Sequence, residues 1–179
     1  MPEEQTVKTW ETQPMLKPRI EKVVVNLNVG KSGAPLENAF NVLLDLTGQK
    51  PAKRKAKKTI RDFGIRQGEP ISCVVTLRKQ VAIDFLKKVL PVVDNKLSQS
   101  SFDKQGNFSF GLKEHIEIVG VKYDPNVGIF GMDICVSINR PGNRVKTRRK
   151  HKTHIGNKHL LSPEDSIAFI KQILEVEIV

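Results

Sequence analysis

Three small constellations in this chain could carry chemistry. Gly30-Lys31-Ser32 follows an apolar run and has the ending of a phosphate-cradling loop. The full pattern needs another Gly five residues before the one preceding Lys, so that backbone N–H groups can wrap a phosphate. Val25 stands there, inside the run itself, so the triplet reads as an ordinary turn with a polar tip. His151, His154 and His159 lie close together, but a zinc site needs three or four N or S ligands in tetrahedral array. Cys73 and Cys135 sit far away in strand-like segments, so no metal is expected. His115, Asp133 and Ser137 could be assembled into a triad only on paper; there is no nucleophile elbow and no paired-carboxylate motif. The sequence therefore points away from an enzyme and from any cofactor.

The remaining chemistry is charge. The 179 residues carry 30 Lys and Arg against 19 Asp and Glu, a net charge of +11. Lys50, Lys53, Arg54, Lys55, Lys57, Lys58 and Arg61 fall within residues 50–61, where no acid occurs. Arg140, Arg144, Lys146, Arg148, Arg149, Lys150, Lys152 and Lys158 fall within residues 140–159, again without an acid. These two windows hold half of the 30 basic groups, so the rest of the chain is a slightly acidic body of net −4. Clustered cations repel one another unless an anion is near, and they gain affinity for a phosphate backbone by releasing its counterions. The expected partner is a nucleic acid. One Trp and one Tyr leave little for an aromatic stacking platform. Phosphate contacts together with amide and Arg readout of a folded RNA fit better. The rival class is a basic DNA-binding architectural protein, which composition alone does not exclude.

These residues need elements to position them. Ile20–Val29 alternates as a strand, with Val23, Val25, Leu27 and Val29 on one face and Lys22, Val24, Asn26 and Asn28 on the other. Pro35–Leu46 has helical spacing, with Pro in its first turn and Gly48 just past its end. The start of the first basic window has nothing to bury and must be an exposed strand edge or loop. Ile71–Arg78 alternates as a second strand, and Lys79–Leu90 as a second helix that Pro91 ends or kinks. Cys73 falls on the apolar side of its strand, whereas Cys135 falls opposite the large aliphatics of its own. Phe102–Phe110 suggests a hairpin or long loop, His115–Val121 a strand, and Asp124–Gly131 a turn-rich loop bearing Val127, Ile129 and Phe130. Met132–Asn139 alternates again. A last helix starts at Pro163, with Ser162 as cap and Asp165 three residues on.

Strands that adjoin strands favour an α+β fold, with a largely antiparallel sheet and helices packed on one face. The opposite face would then be open, with Asn26 and Asn28 on it. The expected organisation is a flexible tail at 1–14, one RNA-binding domain at 15–140, and a basic segment plus C-terminal helix at 141–179 belonging to that domain. No stretch approaches 18 apolar residues, so no membrane partner is expected. The polar start at Met1–Gln13 does not read as a secretory signal, and two Cys without one suggest the cytoplasm.

Four runs carry a resemblance: PRIEKVVVNLNVGKSG, LTGQKPAKRKAKKTIRDFGIRQGEPISCVVTLR, SFDKQGNFSFGLKEHIEI and GVKYDPNVGIFGMDICVSINRPG. Together they resemble the universal large-subunit ribosomal protein family that binds 5S ribosomal RNA, the fifth protein of that subunit. The basic run after RPG and the VEIV ending are similar to its archaeal and eukaryotic branch, with archaeal versions nearer. The resemblance implies a non-enzymatic α+β protein of the ribosome's central protuberance that contacts 5S rRNA and 23S rRNA. It implies 5S rRNA contacts at Asn26 and Asn28, with Lys31, Lys50 and Arg66. The loop holding Lys53, Arg54, Lys55, Lys57, Lys58 and Arg61 would reach the peptidyl-site tRNA. Arg144, Lys146, Arg148, Arg149, Lys150 and Lys152 are expected on other ribosomal RNA. Clustered charge without apolar residues cannot offset the entropy of ordering, so at least 146–159 is expected to be mobile when free. Val127, Ile129 and Phe130 would meet small-subunit ribosomal protein number thirteen in an intersubunit bridge. The chain departs from the family's frequent Gly at Asn28, acid at Lys31 and Gly at Lys79. The last change is expected to lengthen the second helix toward its N-terminus.

Overall fold

The alternation of Val23, Val25 and Leu27 within Arg19–Asn28 decides the architecture, because it gives one face of the strand three apolar residues in line. In the computed structural model, which describes Trp10, residues 12–121, Pro125 and residues 127–179, Val23, Val25 and Leu27 are fully buried. In chain order the main elements are β1 (Arg19–Asn28), α1 (Ala34–Thr47), β2 (Ala52–Lys55), β3 (Pro70–Leu77), α2 (Lys79–Val89), β4 (Lys96–Leu97), β5 (Phe108–Leu112), β6 (Met132–Asn139), α3 (Arg144–Thr147), α4 (Pro163–Leu174) and β7 (Glu177–Ile178). Five strands form one sheet in the order β2-β3-β1-β6-β5, antiparallel at every junction. The short strands β4 and β7 pair separately, in parallel. The fold is α+β with a mostly antiparallel sheet, as the pattern of runs predicts.

Register places the apolar residues of three strands in common rows. Val25 lies between Val75 and Ile134, and Val23 between Leu77 and Val136. Onto that face α1 brings Leu36, Ala39 and Leu43, and α2 brings Ala82, Phe85, Leu86 and Val89. Each large aliphatic so buried contributes about 1.5–3 kcal/mol relative to exposure. Helix α1 begins at Ala34, with Pro35 in its first turn, and ends at Gly48, whose backbone (φ 65) is left-handed and whose N–H donates to Leu44 O at 2.7 Å. Helix α4 carries the expected capping box, in which Asp165 N–H donates to Ser162 Oγ at 3.2 Å and Ser162 N–H to Asp165 Oδ2 at 3.5 Å. Trp10 is buried and meets Phe169 of α4 edge to face at 6.3 Å. Of the expected flexible tail, residues 12–14 are exposed, and residues 1–9 and 11 lie outside the described residues.

Two expectations need correction. His115–Val121 is not a strand: His115–Glu117 forms a 3-10 turn, and the Ile118 and Val121 N–H groups donate back to His115 O and Ile118 O. Ile116 and Ile118 stand two apart, as in a strand, but burial falls on His115 and Ile118, three apart, with Ile116 half-buried, which is the spacing of the turn. Helix α2 does begin at Lys79, but Lys79 itself has φ 56, a left-handed backbone. The residue adds no regular helical turn. It puts a side chain where the backbone favours glycine.

Candidate nucleic-acid interface

The second face of the sheet lacks the large aliphatics of the first. Its rows run Thr76–Val24–Cys135–Ser109, then Val74–Asn26–Asp133–Gly111, then Arg54–Ser72–Asn28. Ser72 is buried, but Asn28, Thr76, Ser109, Asp133 and Cys135 are exposed, and Asn26 is half-buried. Asn26 and Asn28 thus share one open surface, on the central strand, as their spacing implies. Sequence reasoning missed Asp133, Cys135 and Ser109 as neighbours of Asn26 and Val24; only the strand order reveals them. The surface presents amides, hydroxyls, a thiol and a carboxylate, so its centre is a hydrogen-bonding patch rather than a cationic one.

Cations stand at its margin. The β1–α1 turn, with exposed Lys31, is fastened to the turn after Arg66 through Glu69. Ser32 Oγ donates to Glu69 Oε1 at 2.5 Å, and the Arg66 N–H donates to Oε2 at 3.1 Å. The Ser32 hydrogen bond first, and the Arg66 N–H next, hold the Glu69 carboxyl below its ordinary pKa. This clamp draws Lys31 and Arg66 to one region. Lys50 is exposed in the turn between α1 and β2.

The first basic window is an edge strand that runs into a hairpin arm. Ala52–Lys55 is exposed throughout, as a segment with nothing to bury must be. Beyond it, Ile60 and Ile65 exchange backbone hydrogen bonds of 2.9 and 3.0 Å, closing a turn through Arg61 and Gly64. Lys57, Lys58, Arg61 and Arg66 are exposed along this arm, and Phe63 at its tip is 75% exposed. The window divides, however. Lys53 turns toward α1, pairs with Glu37 and lies 5.5 Å above the Phe40 ring. Arg54 falls in the row of Ser72 and Asn28 and so belongs to the sheet surface.

The second basic window leaves the end of β6. Arg140 anchors it: its guanidinium meets Asp165 Oδ2 at 2.7 Å and Leu160 O at 3.1 Å, with both charged side chains largely buried. His159 Nε2 lies 2.8 Å from Pro141 O. Between these ties Arg144, Lys146, Arg148, Arg149, Lys150 and Lys152 are exposed. His151 and His154 are exposed and His159 is half-buried, and among the described residues no cluster of His, Cys, Asp or Glu could hold a metal.

On the loop before β6, Val127 and Phe130 are half-buried and Ile129 is 53% exposed. Asp124 and Asn126 of the same expected loop, and Lys122 and Tyr123 before it, lie outside the described residues. Buried His115 fixes its C-terminal arm, for the Phe130 N–H donates to Nδ1 at 3.2 Å and the His115 N–H to Phe130 O at 3.0 Å. Burial pushes the His115 pKa below the usual imidazole value.

Comparison with known proteins matches both halves of the chain. Residues 13–66 match the family described as ribosomal protein L5, and residues 70–175 match the C-terminal region of that same ribosomal family. A protein of Pyrobaculum aerophilum named large ribosomal subunit protein uL5 is 50% identical over 165 residues, 92% of each chain. Its namesake in Aeropyrum pernix is 50% identical over 171 residues, covering 95% of this chain and 89% of the relative. That of Methanococcoides burtonii is 47% identical over 167 residues, 93% of this chain and 99% of the relative. These are structural proteins of the ribosome and not enzymes. With both halves matched and archaeal relatives aligned along nearly its whole length, the chain belongs to the uL5 family of large-subunit ribosomal proteins, in its archaeal form.

Proposed function

We propose that the protein holds 5S rRNA on its open sheet face and joins it to 23S rRNA in the central protuberance. The observation that carries this reading is the pairing of an uncovered, hydrogen-bonding sheet centre with cations at its margin. Phosphates avoid Asp133, whereas sugar hydroxyls and base edges can use a carboxylate, two amides and a serine. Asn26 and Asn28 supply specificity, while Lys31, Lys50, Arg54 and Arg66 supply affinity through phosphates. Arg144, Lys146, Arg148, Arg149, Lys150 and Lys152 contact other ribosomal RNA. The hairpin arm with Lys55, Lys57, Lys58 and Arg61 reaches the peptidyl-site tRNA, where Phe63 can stack on an exposed base. Val127, Ile129 and Phe130 form an apolar contact for small-subunit ribosomal protein number thirteen.

Cys135 provides the test. It is exposed on the sheet face, whereas Cys73 is buried and its thiol pKa is pushed up by burial. Maleimide should modify Cys135 quickly in the free protein, and saturating 5S rRNA should slow that reaction about tenfold or more. Unchanged Cys135 reactivity in a demonstrated complex would move the 5S site off this face. With about 5–8 phosphates contacted, log K should fall against log salt with a slope of roughly −4 to −7.

A further inference from the structure

The ends of three strands converge on a cationic feature distinct from the sheet centre and the hairpin arm. Arg19 opens β1, Arg78 follows β3 and Arg140 follows β6. Because β1 runs antiparallel to both neighbours, with Val23 beside Leu77 and Arg19 beside Asn139, these residues gather at one end of the sheet. Asn28 and the Glu69 clamp lie at the other end. Facing this end runs the start of the second basic window. Between the two lies an open groove of about 940 Å³, whose walls include Arg19, Arg78 and Lys79 on the body side and Arg144, Arg148 and Arg149 on the other. Glu21 is the acid in this lining, and its carboxylate accepts a hydrogen bond from the Asn139 side chain.

Small-molecule sites are lined mainly by apolar side chains, and this groove is lined mainly by charged and polar ones. Six exposed cations around an open trough, beside the ion-paired Arg140, instead call for an extended anion. Lys79 supports that independently. Its φ of 56 is a backbone conformation that disfavours a side chain and leaves glycine unstrained. It also stands at the N-terminus of α2, where a positive charge opposes the helix dipole and no acid in the first turn offsets it. A cation doubly disfavoured for stability, on the wall of a cationic groove, is placed for a ligand.

We propose that this groove is a phosphodiester cleft, in which Arg19, Arg78 and Lys79 of the body and Arg144, Arg148 and Arg149 of the C-terminal run grip an RNA backbone from two sides. It rests on the RNA-binding reading above and adds a body-side wall to it. The backbone could belong to 5S rRNA or to the large rRNA, and the experiment separates them. Full-length Lys79→Gly and Arg19→Gln/Arg78→Gln variants are titrated by filter binding with 5S rRNA, with a fragment of the large rRNA, and with duplex DNA, each at several salt concentrations. Thermal unfolding is followed in parallel, and binding is measured where every variant is folded.

Lys79→Gly should unfold at the same or a higher temperature, yet bind one of the two RNAs roughly three- to tenfold more weakly, with a salt slope shallower by about 0.7–0.9. The double variant should lose about twice that slope, and the RNA that responds identifies the occupant. Unchanged slopes for both RNAs, while Asn26→Ala still weakens 5S binding, overturn the cleft and leave the RNA reading standing. A loss as large on duplex DNA makes the groove a general polyanion surface and also overturns the assignment. Wild-type protein that binds neither RNA overturns the reading on which the cleft rests.

Discussion

Among the ties that hold the second basic window to the body is the Arg140–Asp165 ion pair, and breaking it should cost stability in a way that can be calculated in advance. Arg140 and Asp165 approach to 2.7 Å, with 10% and 15% of their side chains exposed. At an effective dielectric near 20, unit charges about 3 Å apart attract by roughly 5 kcal/mol, much of which desolvation offsets. Removing one partner of a fully buried pair costs about 3–5 kcal/mol, and the residual exposure here reduces this to about 2–3. Asp165 is also the N3 residue of the α4 capping box, worth about another 1 kcal/mol. Asp165→Ala should therefore destabilise by about 3 kcal/mol and Arg140→Met by about 2. The double variant should cost little more than Asp165→Ala alone, leaving a coupling of about 1.5–2 kcal/mol. In urea, with a slope of about 2 kcal/mol/M, Asp165→Ala should lower the midpoint by about 1.5 M. A coupling below about 0.5 kcal/mol would show that the pair is effectively solvated, and that something other than Arg140 holds the basic run in place.

Other consequences are open to measurement. Changing Lys55, Lys57 and Lys58 together to Gln should weaken tRNA binding in the peptidyl site more than 5S rRNA binding, as filter and ribosome assays would report; the reverse ranking means the two surfaces have been exchanged. Trp10→Ala should lower stability by about 3–5 kcal/mol in chemical denaturation, because the ring is buried against Phe169. The folded protein favours neutral His115, so the stability it contributes is complete above its unfolded pKa near 6.5 and is lost as pH falls through the lower folded value. Hydrogen exchange at the Phe130 amide should accordingly accelerate below about pH 6.5, corrected for intrinsic rates, and a His115→Gln variant should lack that step.

Much of this arrangement was legible in the chain, because local patterns and global burial agree. The alternation of β1 located Asn26 and Asn28 on one face, and Pro35, Gly48, Ser162 and Asp165 marked helix ends by stereochemical rules that need no tertiary context. His115–Val121 misled because Ile116 and Ile118 stand two apart as in a strand, whereas the 3-10 turn buries His115 and Ile118, three apart. The pairing of Lys96–Leu97 with Glu177–Ile178 left no signal, since two residues carry no period. The site was legible in its charges but not in its geometry. Lys53 and Arg54 are neighbours that the pleat sends to opposite faces, and Arg19, Arg78 and Arg144 meet only because of strand order.

That strand order also sets a schedule. Strand β1 sits between β3 and β6, and β6 begins at Met132, more than a hundred residues after β1 ends at Asn28. On the ribosome that makes it, at about 5–20 residues per second, the chain would wait roughly 5–20 s between completing β1 and supplying its second partner. Throughout that interval the β1 edge is an unpaired template for other strands, while the first basic arm is already free to meet RNA. A nascent chain halted before β6 should therefore aggregate through that edge, and the full chain should lose the tendency once residue 139 has cleared the exit.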